Sequence, residues 1–324
     1  MRKMLFILLL LTLFMLPSGC TPPAPSASAP AESAVLLGFA QLGSESAWRI
    51  GNSQSIKDAA QRAGVQLMFE NAEQSQEKQI RAIRSFIAYQ VDVIAFSPIV
   101  EDGWDNVLRE AKEAGIPVLL VDRLVNTEDE SLYVGFIGSD FYEEGRSAGL
   151  FLQKKAAGMD HVRIVEISGT VDSSPMRQRG KGFRDVLGDD PKFEILESIS
   201  GDFLLSKGRE CMEYLLDTYE GIDVLYSHND SMTLGAMETI KAAGLEPGED
   251  IIIITVDGEQ KAIDLLKEGK INCVVECTPM LGDVVMDLAI KLAAGEAIER
   301  IAYSRETVFT EFDTNLDSLP ERGY

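Results

Sequence analysis

"VDVIAFSPIVEDGWDNVLREAKEAGIPVLLVDR", residues 91–123, holds two short apolar runs, "VIAF" and "VLLV", either side of a stretch with a different period. Both runs are apolar at every position, as strands are when helices cover both faces of a parallel sheet. Between them Trp104, Val107, Leu108 and Ala111 recur at helical spacing and share one face. The Gly in "EAGIPV" stops that helix before the second run begins. The stretch is one strand–helix–strand unit.

The unit repeats outward in both directions. Strands are predicted at 34–40, 65–69, 91–96, 118–121, 133–137, 162–167, 193–199, 224–226, 251–256 and 271–276. Helical faces recur between them, with Ile80, Ile83 and Ile87 on one and Met212, Leu215, Leu216 and Tyr219 on another. "RAGVQL" and "AAGLEP" repeat the Gly stop. Such alternation predicts an α/β fold with parallel sheets. One sheet of about ten strands is unusual, so two sheets of about five or six are expected. "GFIGSD", residues 135–140, is the expected crossing between them. The halves look alike, since each ends a strand on an Asp, in "VLLVDR" and in "IITVDG". The fold expected is two doubly wound, Rossmann-like lobes joined by a hinge, with ligand held at the carboxyl ends of the strands.

The chain opens "MRKMLFILLLLTLFMLPSGC". Two basic residues, an apolar run too short to span a bilayer, and small residues before a break read as a secretory signal. Ser18-Gly19-Cys20 looks like a lipoprotein signal in which Cys20 becomes the lipidated first residue. Residues 21–33, "TPPAPSASAPAES", bury too little to order themselves and read as a tether. The net charge is −22, which repels phosphate backbones and argues against a nucleic-acid partner. Cys273 and Cys277 lie four residues apart along one strand, roughly 13 Å, beyond disulfide reach. With two His in the chain and neither at ligand spacing from a Cys, no metal is expected, and the thiols read as buried apolar groups.

The strand-end rule picks out a set of side chains. Glu45, Trp48 and Arg49 follow the first strand, and Asp122 and Arg123 follow "VLLV". Arg177 and Arg179 follow "VEISGT", Phe203 lies in "SGDF", Asn229 and Asp230 follow "VLYSH", and Asp257 follows "IITV". Glu276 closes the last predicted strand. Asp, Asn and Arg can grip neighbouring hydroxyls as donors and acceptors at once. Trp48 and Phe203 add apolar faces, and the combination suits a sugar ring. Blander roles stay open for each residue. Asp122 and Asp230 fit helix N-caps, Glu45 a cap or a ligand group, Asn229 and Asp257 turn formers, Trp48 core, and either Arg a solvent-facing helix start. Removing Arg49 is expected to weaken binding with little loss of stability.

No GxGxxG follows a strand and no Gly-Lys-Ser/Thr loop exists, so no nucleotide cofactor is expected. There is no nucleophile elbow and no usable Ser/His/Asp set, so the chain is not read as an enzyme. His228 beside Asn229 reads as a residue that orients its loop.

With these residues in view, 35–324 resembles the periplasmic sugar-binding proteins of the ribose/galactose type, which serve ABC importers. "LLVDR", "RQRGKGF", "SGDF", "SHNDSMTLGA" and "TVDG" carry the resemblance in order and spacing. "FAQLGSESAWR", "SPIVEDGW" and "SGDFLLSKGRE" look closest to the galactofuranose-binding branch. The resemblance implies one lobe from 34–137 with about 278–304 and another from 138–277 with about 305–324. It implies Trp48 and Phe203 as sugar-stacking aromatics, and Arg49, Asp122, Arg123, Asn229 and Asp257 as hydroxyl ligands. Arg177 matches the ribose-type pattern at the helix start and Arg179 the galactofuranose-type pattern; Arg179 is preferred. Ribose-type members often have Gln at the last strand, where this chain has Glu276-Cys277-Thr278. The implied partners are a monosaccharide and an ABC permease, for an exported, lipid-anchored monomer. A sugar sensor that passes its ligand state to a membrane kinase or chemoreceptor is the alternative.

Overall fold

The computed structural model describes residues 34–324; the signal, the tether and Cys20 lie outside the described residues. Among these, twelve strands and nine helices form. In the first half they run β1 (Leu36–Gln41), α1 (Ala47–Ala63), β2 (Gln66–Asn71), α2 (Gln76–Ala88), β3 (Val93–Phe96), α3 (Asp105–Glu113), β4 (Val118–Val121) and β5 (Gly135–Gly138). Then come α4 (Phe141–Lys155), β6 (Val162–Ser168), α5 (Ser174–Leu187), β7 (Phe193–Ser200), α6 (Leu205–Thr218), β8 (Val224–Ser227), α7 (Asp230–Ala242), β9 (Ile252–Asp257), α8 (Gln260–Lys267) and β10 (Cys273–Glu276). The chain ends with α9 (Gly282–Ala293), β11 (Ile301–Tyr303) and β12 (Val308–Thr310).

Two six-stranded sheets result, ordered β11-β5-β4-β3-β1-β2 and β12-β10-β9-β8-β6-β7. All pairs are parallel except β10 with β12. In each sheet the first strand sits between the second and the third. That is where the strand order reverses, and where doubly wound sheets open a ligand crevice.

The runs quoted at the outset are central strands, and their side chains alternate between two cores. Ile94 and Phe96 of β3 join Val118 and Leu120 of β4 in a cluster with Trp104, while Val93, Ala95, Leu119 and Val121 face the other cluster. The second sheet does the same, with Ile253 on one face and Ile254 and Val256 on the other. Burying each such side chain stabilises the fold by about 1.5–3 kcal/mol.

Two strands escape the sequence reading. β11 and β12 are three residues each, sit at sheet edges, and are flanked by Glu299, Arg300, Arg305 and Glu306. They present neither an apolar run nor a clean alternation, so pattern alone does not reveal them. They matter because they return the chain to each sheet in turn. The backbone crosses between sheets at 139–140, at 277–281 and at 304–307. One carboxylate oxygen joins the three crossings: Glu306 Oε1 accepts from the Ser139 hydroxyl, from the Thr278 N–H at 3.0 Å and from the Ser304 hydroxyl at 2.9 Å.

Candidate functional site

The strand ends of both sheets meet around a narrow cavity that opens to solvent, with about 290 Å³ of empty space when its open mouth is included. Asp230, which fits a helix cap, set aside, nine of the other eleven candidates line it: Glu45, Trp48, Arg49, Asp122, Arg123, Arg179, Phe203, Asn229 and Asp257. Each stands where local structure puts it. Ser46 caps α1 by accepting from Arg49 N–H at 3.1 Å, so Trp48 and Arg49 fall in the first helical turn above β1. Ser46, and not Glu45, is therefore the cap. Asp122 leaves β4 with φ +66°, Phe203 leaves β7 with φ +62°, and Asp257 ends β9 with φ +122°. Residues other than Gly are rarely held at such angles, and clustering at a cleft is characteristic of functional sites.

Three guanidinium groups and three carboxyl groups line the cavity. Arg49 lies 2.7 Å from Asp122 Oδ2 and 3.1 Å from Glu45 Oε1, and also donates to Gln41 and Ser97. Burial pulls its pKa down, but the Asp122 and Glu45 charges hold it raised. Arg49 thus sits between two buried carboxylates. Sequence reading treats it as separable from the fold; here, removing it would strip two buried charges of a partner, which is strongly destabilising. Asp122 is no helix cap, because its Oδ2 accepts from Arg49 and from the Ser97 hydroxyl.

Arg179 donates through Nε to Glu144 Oε2 at 2.6 Å and through Nη1 to the His228 carbonyl at 2.6 Å. Burial lowers its pKa, while Glu144, Cys277 and Asp257 together raise it further, so it stays charged. It is positioned by a close approach of α4 and α5. A Cβ on Gly145 would lie 2.1 Å from the Arg179 carbonyl, so only Gly allows the two helices this near. His228 itself is fully buried behind the cavity, with Nε2 2.9 Å from Glu166 Oε1. Burial lowers its pKa.

Each arginine also lies over an aromatic ring: Arg49 over Trp48 at 4.6 Å, Arg123 over Phe203 at 5.1 Å, Arg179 over Phe141 at 5.0 Å. The pairing fixes the planes of groups whose edges must point at a ligand. Trp48 belongs to a core cluster as well as to the cavity wall, and its indole N–H donates to the Cys277 carbonyl at 2.6 Å.

Three buried polar atoms of the wall have no hydrogen-bond partner: Glu45 Oε2, Arg123 Nε and Asp257 Oδ2. Arg123 is pulled down to about 10, by burial and then by Arg49, and remains protonated at neutral pH. Burial, then the charge of Asp230, pushes Asp257 well above the carboxyl range. One free donor and one free acceptor thus come from the first sheet's loops, and one free acceptor from the second's. A neutral ligand bearing hydroxyls can satisfy all three.

Asn229 and Asp230 exchange the roles that sequence allowed them. Asn229 caps α7, accepting from Met232 N–H at 2.9 Å, and Asp230 does not. Asp230 instead accepts from Gly258 N–H, Glu259 N–H and the Thr255 hydroxyl at 2.7–2.8 Å, which anchors the loop carrying Asp257.

Two candidates are not brought to the cavity. Arg177 is one helical step off the wall and pairs with Asp172 and Glu101. Glu276 points to the far side of β10, where it meets Arg322 and the Thr307 N–H. Conversely, Ser46, Phe141, Pro175 and Cys277 line the cavity and were missed. Cys277 directly follows β10 and Phe141 opens α4 three residues after β5, so the strand-end rule reaches both. The predicted strand 271–276 ends where β10 does, but Glu276 was taken from that end in place of Cys277.

Three comparisons bear on this geometry. The periplasmic binding protein domain family matches residues 37–297. The chain is 38% identical over 290 residues to the galactofuranose-binding protein YtfQ of Escherichia coli (strain K12), covering 88% of this chain and 91% of that one. A Mycobacterium smegmatis structure in complex with beta-D-fucofuranose is 48% identical, with a TM-score of 0.85 over 88% of this chain and 93% of that one. The binding component of an arabinose ABC transporter from Shewanella sp. ANA-3, bound to L-arabinofuranose, is 40% identical, with a TM-score of 0.83 over 88% and 94%.

Proposed function

This chain belongs to the periplasmic binding protein domain family, with that family's type I fold of two parallel-sheet lobes, and on that premise we propose that it captures a monosaccharide in the furanose form between its lobes and delivers it to an ABC importer. The observation that carries the reading is the cavity wall. Its three arginines are stacked on aromatic rings, and its free polar atoms come from both lobes. A neutral polyol with hydroxyls on both edges completes such a wall. Relatives bound to fucofuranose and arabinofuranose support a five-membered ring. The nine wall residues named above are the proposed ligand contacts, and no catalytic group is assigned among them.

In this reading one lobe spans 34–137 with about 278–304 and the other 138–277 with about 305–324, matching the sheet memberships of β11 and β12. The protein works as an exported monomer, held at the membrane's outer face by a lipid on Cys20. No helix among the described residues is long and apolar enough to cross a membrane.

A ligand that binds only the folded state raises its melting midpoint. D-galactose, D-fucose, L-arabinose, D-ribose and D-galacturonate, each at millimolar concentration, form the test panel. The furanose-forming neutral sugars are expected to raise the midpoint by several degrees, and the uronate serves to read the charge preference of the wall. No shift with any saccharide would falsify the reading.

A further inference from the structure

"SPIVEDGW" and Arg177 are left over once the cavity is assigned, and the structure places them together. Glu101 stands in the loop after β3, in the first lobe, and Asp172 and Arg177 stand in the loop and first turn between β6 and α5, in the second. Four contacts cross the mouth of the cleft here. The Glu101 N–H donates to the Asp172 carbonyl at 2.9 Å. Arg177 Nη1 lies 3.1 Å from Glu101 Oε2, and the Leu124 N–H donates to the Ser174 hydroxyl at 3.0 Å. Arg123 over Phe203 is the fourth. Arg177 Nη2 meanwhile donates to Asp172 Oδ1 at 2.7 Å, so both edges of the guanidinium are occupied and neither faces the cavity.

The Glu101 loop is braced from below. The Asn126 N–H donates to the Glu101 carbonyl, and fully buried Trp104 donates to the Val100 carbonyl at 2.7 Å. The Glu101 side chain is 13% exposed and that of Arg177 43%, so the acceptor is fixed and the donor reaches to it.

We propose that Arg177, Asp172 and Glu101 form a latch across the cleft mouth that slows opening, and that Arg177 positions the lobes without touching the sugar. An ion pair half-open to water contributes modestly, which suits a latch that must release. Its breaking accelerates opening by about 2–5-fold.

The test uses Glu101→Gln, Arg177→Gln and the double variant in the full chain. Amide hydrogen exchange of the ligand-free protein reads the latch directly, because the Glu101 and Leu124 amides are bonded across the mouth. Each single variant should speed exchange at both amides by about 2–5-fold. The double variant should add nothing further, as two partners of one interaction do, and the amides of β3 should stay slow. Unchanged exchange at Leu124, or faster exchange throughout β3, overturns the proposal. The kinetic arm rests on the sugar-binding reading and uses D-galactose. Its dissociation should quicken by the same factor with association unchanged, and raised salt should speed release from the wild type but not from the double variant. A changed order of preference among D-galactose, D-fucose and L-arabinose would put Arg177 on the sugar and also overturn it. If the wild type binds none of these sugars, the reading of function fails while the exchange measurement still decides the latch.

Discussion

Asp257 concentrates the chemistry of the site in one side chain. It is buried, held at φ +122°, and its Oδ2 has no partner. Burial and then the Asp230 charge raise its pKa far above the ordinary value of about 3.9. The folded chain therefore keeps a proton that the unfolded chain loses above about pH 4. Where the native state binds more protons than the unfolded state, stability falls as pH rises. Asp257→Asn removes that contribution, so its melting midpoint should fall less steeply between about pH 5 and 8 than the wild type's. Asp230, raised to about 8 by burial and then Glu259, leaves a residual slope in both proteins. The same substitution replaces a protonated carboxyl at the wall by an amide, so affinity for a bound sugar should drop by up to about tenfold. Parallel pH profiles would remove Asp257 from this account. Residues of this kind are legible in sequence because a strand end followed by Asp is a local pattern. What is not legible is the choice between neighbours. Arg177 and Arg179 stand two residues apart on one helix, Asn229 and Asp230 are neighbours at a helix start, and only packing decides which faces the cavity.

Among the elements, the crossings are the least legible and the most consequential. The central strands announce themselves as apolar runs, while β11 and β12 are three residues long and lie in charged surroundings. Their stability comes from tertiary context, and in particular from Glu306. Its Oε1 accepts from all three crossing segments. Burial raises its pKa while the Ser139, Thr278 and Ser304 donors oppose that rise. Glu306→Ala leaves these donors without their common acceptor and should cost about 1–3 kcal/mol, read as a lower urea midpoint. Glu306→Gln keeps a carbonyl oxygen in place and should lie close to the wild type. Equal losses in the two variants would mean that the charge, and not the shared acceptor, is what the crossings need.

At the scale of the whole molecule, two lobes of the same strand order meet at three crossings and at a mouth of a few polar contacts. Each sheet has an apolar cluster on either face, with Trp48 of the first lobe alone packing into one of the second lobe's clusters, so each lobe has a core of its own. The groups that would grip a sugar are divided between them, with Arg49, Asp122 and Arg123 on one and Arg179, Asn229 and Asp257 on the other. A ligand that satisfies both halves binds the closed arrangement better than the open one, and only that difference can shift the balance. Solution scattering measures it. With saturating D-galactose, the radius of gyration of the body should contract towards about 19 Å, the value for a compact chain of this length. Without sugar it should be larger, and Arg177→Gln should enlarge it further, since that variant loses the mouth contact but none of the wall. A radius that ignores the sugar while melting still shifts would mean that the lobes bind without closing, and that the division of the wall between them serves recognition alone.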